Sequence, residues 1–314
     1  MSTGLLIVGH GSRDSNASIE FEALVATYRS ARPDLTVVHG YIELAQPTLT
    51  AALRELAHQV DDAVILALFL FAAGHVKNDI PLGLAQIRNE CPRTRFVMAR
   101  PLGVHPSLVD LACARAQPEL EGAREEMKIA VIVIGRGSSD PDANADFCKV
   151  VRLFGEGRNL GWVLPSFIGI TRPLFEETVE LVARTRPERI VIVPYFLFGG
   201  RLIVKLSQQV AGVRSRYPSI NIRQAAYLGS DPGLFSLMDD RVNETLAGSR
   251  PVPCDTCQYR VPVSGVSDKV GGNKCARTGS RTSFIRSLIA IDGLSGLDRV
   301  GMYIDSRRSA ARSA

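Results

Sequence analysis

The sequence predicts an α/β protein built as a tandem duplication of one parallel-sheet unit. Apolar runs of strand length alternate with segments whose apolar residues are spaced as on one face of a helix. This alternation is typical of parallel strands joined by crossover helices, with helices on both faces of the sheet. In addition, a series of matching positions recurs at a constant offset of 126 residues. A constant offset over much of the chain indicates an internal repeat.

The elements of the first half follow in order along the chain. Strands are expected at 4–9, 35–43, 62–71 and 94–99, and helices at 16–31, 48–60, 79–91 and from 106. In the first helix, Ile19, Leu24, Val25 and Tyr28 have helical spacing and should form its buried face. The polar segment 117–122 is interpreted as the linker between the two copies.

The second half repeats the first. The run Lys128–Ser138 matches the opening strand and places Arg136 at the position of His10, 126 residues later. Three further anchors have the same offset: Gly169 after Glu43, Pro173 after Pro47 and Arg201 after His75. We therefore expect an N-terminal lobe over 1–123, a second lobe over 124–247 and a largely disordered tail over 248–314.

Composition and charge limit the function classes. No apolar run approaches the roughly 18–20 residues of a membrane span, so no membrane partner is expected. The 6 cysteines are scattered, which favours a reducing cytoplasm over a secreted disulfide framework. The net charge of +5 is concentrated in residues 276–314, which carry seven Arg and three Asp. The remaining chain is nearly neutral, so no nucleic-acid partner is expected.

Two histidines follow apolar, strand-like runs: His10 in Gly9-His10-Gly11, and His75 after Gly74. Glu43 is expected to end the second strand. Because the carboxyl ends of parallel strands meet at one edge of the sheet, where ligands bind, these side chains should lie together. Two imidazoles and a carboxylate suit a divalent transition metal such as Co, Ni, Fe or Zn. The same groups can also accept protons.

The duplication supplies an internal comparison for these histidines. All five histidines (10, 39, 58, 75 and 105) lie in the first half, and the second copy has Arg136 and Arg201 at the two key positions. Guanidinium groups do not take up or release protons near neutral pH, but they bind carboxylates bidentately. We interpret both arginines as clamps for an acidic substrate, against the alternative that the second copy lost its site by decay. His105 is either an accessory ligand or a helix-terminus residue, and His39 and His58 are framework residues.

The motifs Val8–Arg13, Leu68–Val76 and Asn78–Pro81 resemble those of the sirohydrochlorin chelatases in the class II chelatase family. The resemblance extends over about residues 4–247. The double length, followed by Cys254 and Cys257 in a C-x2-C motif, is most similar to the long-form sirohydrochlorin cobaltochelatases of the CbiX type.

The resemblance implies two flavodoxin-like, Rossmann-like lobes with a cleft between them, the chelatase fold. It implies a metal chelatase of the lyase class that inserts Co²⁺ into sirohydrochlorin without ATP in anaerobic cobalamin biosynthesis. His10 and His75 would bind the metal and accept pyrrole protons. From its own chemistry, Glu43 is interpreted as a third metal ligand and as a proton acceptor or relay. The tetrapyrrole would lie against Leu70, Phe71, Ala72, Ala73 and Gly74. The protein would act as a monomer with two pseudo-symmetric lobes.

Other functions stay open at this stage. Iron insertion for sirohaem synthesis uses the same donor set, and a non-catalytic cobalt or nickel metallochaperone could use it as well. A nucleotide- or phosphate-binding role for the Gly9–Ser12 loop has less support, because the chain has no G-x-G-x-x-G or Walker pattern. In the tail, Cys254, Cys257 and Cys275 offer three thiolates that could hold part of an iron–sulfur cluster or a zinc ion.

Overall fold

The computed structural model describes residues 2–123 and 125–248. Within them, the first lobe has a four-stranded parallel sheet with the strand order β2-β1-β3-β4. Its strands are β1 (Thr3–Gly9), β2 (Thr36–Tyr41), β3 (Asp62–Ala67) and β4 (Arg95–Met98), and its helices are α1 (Ser15–Ala31), α2 (Leu49–Ala57), α3 (Ile80–Glu90) and α4 (Pro106–Leu120).

The second lobe repeats this arrangement, with a parallel sheet of order β6-β5-β7-β8. Its strands are β5 (Ile129–Gly135), β6 (Trp162–Phe167), β7 (Arg189–Pro194) and β8 (Asn221–Gln224), and its helices are α5 (Pro141–Gly155), α6 (Phe175–Ala183), α7 (Arg201–Arg216) and α8 (Gly233–Leu246). Gly9 pairs with Tyr41 and Gly135 with Phe167, so the strand register is also repeated. The predicted fold class is confirmed.

The central strands explain how the two lobes are joined. Successive side chains of a strand point to opposite faces of the sheet. In β1, Leu5 and Ile7 enter a core that both lobes share, whereas Leu6 and Val8 enter a core of the first lobe alone. The alternate residues of β5 divide in the same way. The largest apolar cluster therefore lies between the two sheets.

The last helix of each copy contacts the opposite sheet. Helix α4 of the first copy contacts β7 and α5 of the second, and α8 of the second copy contacts β3 of the first. The lobe boundaries at 123/124 and 247/248 stay predictions. No helix in the described part of the chain is both long and apolar enough to cross a membrane.

Three details of the sequence prediction are wrong. Strand β3 ends at Ala67 instead of residue 71, and beyond it the carbonyls of Phe69 and Leu70 accept hydrogen bonds from the N–H groups of Leu102 and Gly103. Strand β2 ends at Tyr41, which places Glu43 in the following turn. In α1, Ile19 is 61% exposed, and Phe21 takes its place on the buried face.

The predicted linker at 117–122 is also too long, because α4 continues through Pro118 to Leu120. Arg189 at the start of β7 donates hydrogen bonds from Nη1 to the carbonyls of Glu119, Leu120 and Glu121. These carbonyls end a helix and have no partner within it. The guanidinium of the second lobe thus stabilises the end of this helix.

Candidate metal centre

His10 and Glu43 are brought together by a close approach of two backbone segments. Strand β1 ends at Gly9, and Glu43 then donates its backbone N–H to the carbonyl of His10 at 3.1 Å. Gly11 has φ +88°, and a Cβ there would lie 1.7 Å from the carbonyl oxygen of Glu43. Only glycine permits this conformation and this contact together.

His75 approaches the pair from the other side of β1. It begins a π-helical turn, His75–Asp79, which precedes α3. The rings of His10 and His75 lie 4.7 Å apart between centroids at 89°, and His10 Nε2 lies 3.6 Å from Glu43 Oε1. One ligand atom from each of the three residues lies within 4.8 Å of the other two. A single ion between them can therefore contact all three.

Hydrogen bonds determine which imidazole nitrogen is left available to a metal ion. His10 Nδ1 lies 2.9 Å from the carbonyl oxygen of Gly11, and a carbonyl can only accept. His75 Nδ1 lies 2.6 Å from Asp79 Oδ2. With Nδ1 as the donor in both rings, each neutral imidazole presents an unprotonated Nε2, which is the form that binds metal.

The surroundings of His10 favour its neutral form. Burial lowers the pKa of His10 below its ordinary value of 6.5, and the nearby His75 and Arg136 act in the same direction. The Gly11 carbonyl and Glu43 oppose this shift. At neutral pH, the ring is therefore free to bind a cation or to accept a proton.

A cavity of about 320 Å³ lies next to this centre and has lining residues from both lobes. Many of these occupy equivalent positions of the two copies: Gly9 and Gly135, His10 and Arg136, Gly11 and Gly137, Phe21 and Phe147, Tyr41 and Phe167, Phe69 and Tyr195. The cavity is thus lined by equivalent positions of both copies, with imidazoles contributed by one copy and a guanidinium by the other.

The predicted substrate-binding residues divide into two groups. Leu70, Phe71, Ala73 and Arg136 line the cavity. Ala72, Gly74 and Arg201 are not among the lining residues. Arg201 is an exposed residue at the start of α7, and its role as a clamp stays a prediction. Cys254, Cys257 and Cys275 lie outside the described residues.

The remaining histidines have other settings. His105 Nδ1 accepts a hydrogen bond from the Ser107 N–H at 3.3 Å and caps α4. His39 lies in β2, where its ring contacts those of Phe21 and Tyr41, and His58 follows the last turn of α2. The three-residue group that could hold an ion in the described part of the chain includes none of them.

Two residues near the centre were missed by the sequence reasoning. One is Asp79, whose Oδ2 lies 2.6 Å from His75 Nδ1. The other is Phe69, whose ring lies 6.2 Å from that of His10 and 6.3 Å from that of His75. The spacing of four residues between His75 and Asp79 is a signal that could have revealed their contact. Phe69 could not be assigned, because the 62–71 segment was expected to be a strand.

Comparisons with known proteins agree with this architecture. A sirohydrochlorin cobaltochelatase from Priestia megaterium is 35% identical over 261 residues, which cover 82% of this chain and 85% of the relative. A sirohydrochlorin ferrochelatase from Bacillus subtilis (strain 168) is 28% identical over 253 residues, with coverages of 79% and 94%. The solved structure of SirB from Bacillus subtilis with Fe³⁺ has a TM-score of 0.70 at 27% identity, covering 79% of this chain and 97% of that one.

The sequence pattern of the CbiX family matches residues 4–119 and again residues 130–245. These two matches together span more than half of the chain and correspond to its two repeats. The chain therefore belongs to the CbiX family.

Proposed function

We propose that this protein inserts Co²⁺ into sirohydrochlorin without ATP, as a step of anaerobic cobalamin biosynthesis. The observation that carries the proposal is the group His10, Glu43 and His75 beside a largely apolar cavity that has Arg136 on its wall. The similarity to a cobaltochelatase that acts on sirohydrochlorin supports this choice of substrate. Because one chain contributes both sides of the cavity, we further propose that the enzyme acts as a monomer. We also propose a cytoplasmic location, which the scattered cysteines favour.

The reaction exchanges two pyrrole protons of the macrocycle for one divalent ion. His10 Nε2, His75 Nε2 and the Glu43 carboxylate would first hold Co²⁺ beside the ring. As ring nitrogens replace these ligands one by one, each released imidazole or carboxylate becomes a base that can accept a pyrrole proton. No oxidation and no phosphoryl transfer take place, so neither a redox partner nor ATP is needed.

Arg136 would orient the substrate. Sirohydrochlorin carries several carboxylates, and a guanidinium can bind a carboxylate through two parallel hydrogen bonds. Arg136 stands where the first copy has His10, and it lines the cavity. A carboxylate bound there would hold the macrocycle against the metal centre. Arg201, at the position equivalent to His75, is proposed as a second clamp nearer to solvent.

Iron insertion is the second candidate, because a ferrochelatase is also similar to this chain over most of its length. The two-histidine, one-carboxylate donor set does not by itself discriminate Co²⁺ from Fe²⁺. A metal carrier without catalysis is less well supported, since a cavity of about 320 Å³ is far larger than an ion requires.

The test is to mix the purified protein with metal-free sirohydrochlorin, add Co²⁺ or Fe²⁺ without ATP, and follow the absorbance of the macrocycle. We expect accelerated Co²⁺ insertion that His10→Ala and His75→Ala abolish and His39→Ala retains. Faster insertion of Fe²⁺ than of Co²⁺ would favour the ferrochelatase function. No acceleration, together with metal bound at His10 and His75, would favour a metal carrier.

The proposed role of Arg136 has a separate test. Arg136→Ala should raise the KM for sirohydrochlorin by about tenfold or more, the loss expected for one charge-assisted bidentate contact. The affinity for Co²⁺ should not fall, because the positive charge of Arg136 near His10 disfavours a further cation there. A substitution that alters both affinities equally, or neither, would contradict a carboxylate clamp.

A further inference from the structure

A buried lysine joins the two lobes next to the metal centre. Lys77 Nζ lies 2.8 Å from Asp140 Oδ2 and 2.9 Å from Asp142 Oδ2, and its side chain is 3% exposed. Asp140 precedes α5 and Asp142 lies in its first turn. The following residues of α5, Ala143 and Asn144, line the cavity. The ion pair thus connects a turn of the first lobe to a helix that forms the cavity wall in the second.

The turn that carries Lys77 also carries His75. In the π-helical turn His75–Asp79, residues four apart lie on one side, as the 2.6 Å contact between His75 and Asp79 shows. Lys77 lies midway between them and is directed to the second lobe instead. One turn therefore presents a metal ligand, the acid that orients this ligand, and the cation that attaches the turn to α5.

The ion pair breaks the internal symmetry of the molecule on the side of the metal centre. Asp140 corresponds to Asp14 in the first copy, and both cap their helices, accepting the N–H of Asp142 at 3.0 Å and of Asn16 at 3.1 Å. Lys77 corresponds to Ile203, which cannot form an ion pair. The lysine accompanies the copy that has His75.

We propose that Lys77 is a positioning residue, which ties the turn bearing His75 to α5 and so sets where the His75 ligand nitrogen lies relative to His10 and Glu43. The inference rests on the proposed metal site. An ammonium buried without its partners is strongly destabilised. The turn therefore cannot leave α5 while Lys77 stays buried, and the contact between the lobes constrains the metal ligand.

The experiment measures Co²⁺ binding to the full-length protein without tetrapyrrole, from the dissociation constant and the visible spectrum of the bound ion. We expect Lys77→Met and Asp140→Asn to weaken Co²⁺ binding by about tenfold or more, in the range seen when groups that orient metal ligands are lost. The spectrum should change as well. Lys77→Arg, which keeps the positive charge, should retain most of the affinity.

Asp14→Asn is the matched control. Asparagine caps helices about as well as aspartate, so Asp14→Asn and Asp140→Asn should both keep their helix caps. Only Asp140→Asn removes a negative charge that pairs with Lys77. A wild-type dissociation constant and spectrum in Lys77→Met and Asp140→Asn, even with lowered thermal stability, would reduce Lys77 to a structural role. An equal loss in Asp14→Asn would also overturn the inference. If His75→Ala leaves Co²⁺ binding of the otherwise unaltered protein intact, the proposed metal site itself is wrong.

Discussion

Gly11 decides whether Glu43 can reach His10. Its φ of +88° and the 1.7 Å separation between an added Cβ and the Glu43 carbonyl oxygen leave no room for a side chain. Gly137 has the same role in the second copy, with φ +84° and a Cβ that would lie 2.2 Å from the carbonyl oxygen of Gly169. The two copies thus keep one backbone junction, although only the first has an acidic side chain beside it.

This junction supplies a prediction with an internal control. Gly11→Ala and Gly137→Ala should each lower the free energy of unfolding by about 2 kcal/mol or more. Alanine is strained at a positive φ, and its Cβ would displace the neighbouring turn. Only Gly11→Ala should also abolish Co²⁺ binding, since it moves Glu43. Urea unfolding and calorimetric Co²⁺ titration of both variants check this. Loss of Co²⁺ binding in Gly137→Ala as well would show that general destabilisation explains the effect.

The lowered pKa of His10 predicts a pH dependence of stability in the metal-free protein. As the pH falls below 6.5, His10 becomes protonated in the unfolded chain. In the folded chain its pKa is lower, so the ring stays neutral to a lower pH. The unfolded state then binds more protons, so stability decreases through this window and on through the folded pKa. This contribution is fully present above pH 6.5.

The comparison is between the wild type and His10→Gln, in urea unfolding from about pH 7.5 to about pH 5. We expect the wild type to lose more stability than the variant over this interval. An NMR titration of the His10 ring should give a midpoint below 6.5. Parallel stability curves, or a midpoint above 6.5, would contradict the environment described for His10.

At the scale of elements, the π-helical turn His75–Asp79 organises the candidate metal centre. A turn of this kind interrupts the regular helix and is frequent at functional sites. Here it allows Asp79 to hold His75 Nδ1 at 2.6 Å while α3 continues from Ile80. The carboxylate fixes the tautomer and the ring orientation, so it leaves His75 Nε2 unprotonated, as the proposed role as a metal ligand requires.

Asp79→Asn should therefore weaken Co²⁺ binding by about 10- to 100-fold, the range for such orienting groups. The amide is uncharged and can stabilise the other tautomer of His75. Asp62→Asn is a suitable control, because Asp62 pairs with the largely exposed Arg95 and should leave Co²⁺ binding unchanged. Unaltered affinity in Asp79→Asn would show that His75 is oriented by its packing alone.

At the scale of the whole molecule, two arginines at equivalent positions join the lobes reciprocally. Arg115 of α4 donates to the carbonyl of Leu228, and Arg241 of α8 donates to the carbonyls of Pro101 and Leu102. Leu102 and Leu228 are themselves equivalent. The two contacts differ in burial: Arg241 is 4% exposed, whereas the Arg115 side chain is 33% exposed.

This difference predicts unequal effects of one substitution. Arg241→Ala should lower the free energy of unfolding by about 3 kcal/mol, because it leaves buried carbonyls without a partner. Arg115→Ala should lower it by about 1 kcal/mol, since water can reach the exposed group. Urea unfolding of both variants checks the order. Equal losses of unfolding free energy would mean that burial of the arginine does not determine how much each contact stabilises the protein.

The sequence by itself determined the fold class and the duplication. Strand and helix patterns recur within a few residues, and the offset of 126 is visible in every anchor, so no distant contact is needed to detect them. The candidates His10, Glu43 and His75 also followed from local signals, since parallel strands must deliver their carboxyl ends to one edge. The structure brings these three together, and their roles stay proposals.

Only the tertiary structure decided what surrounds these candidates. Lys77 and Asp140 are 63 residues apart, and the carbonyls of Pro101 and Leu102 that accept hydrogen bonds from Arg241 lie in the other copy. No periodicity relates such positions, because their contact arises from the packing of one lobe on the other. The sequence also does not reveal that α4 contacts the sheet of the second copy and α8 that of the first, for the same reason. Local patterns specify each element, whereas the pairing of distant side chains is specified only by the folded core that carries them.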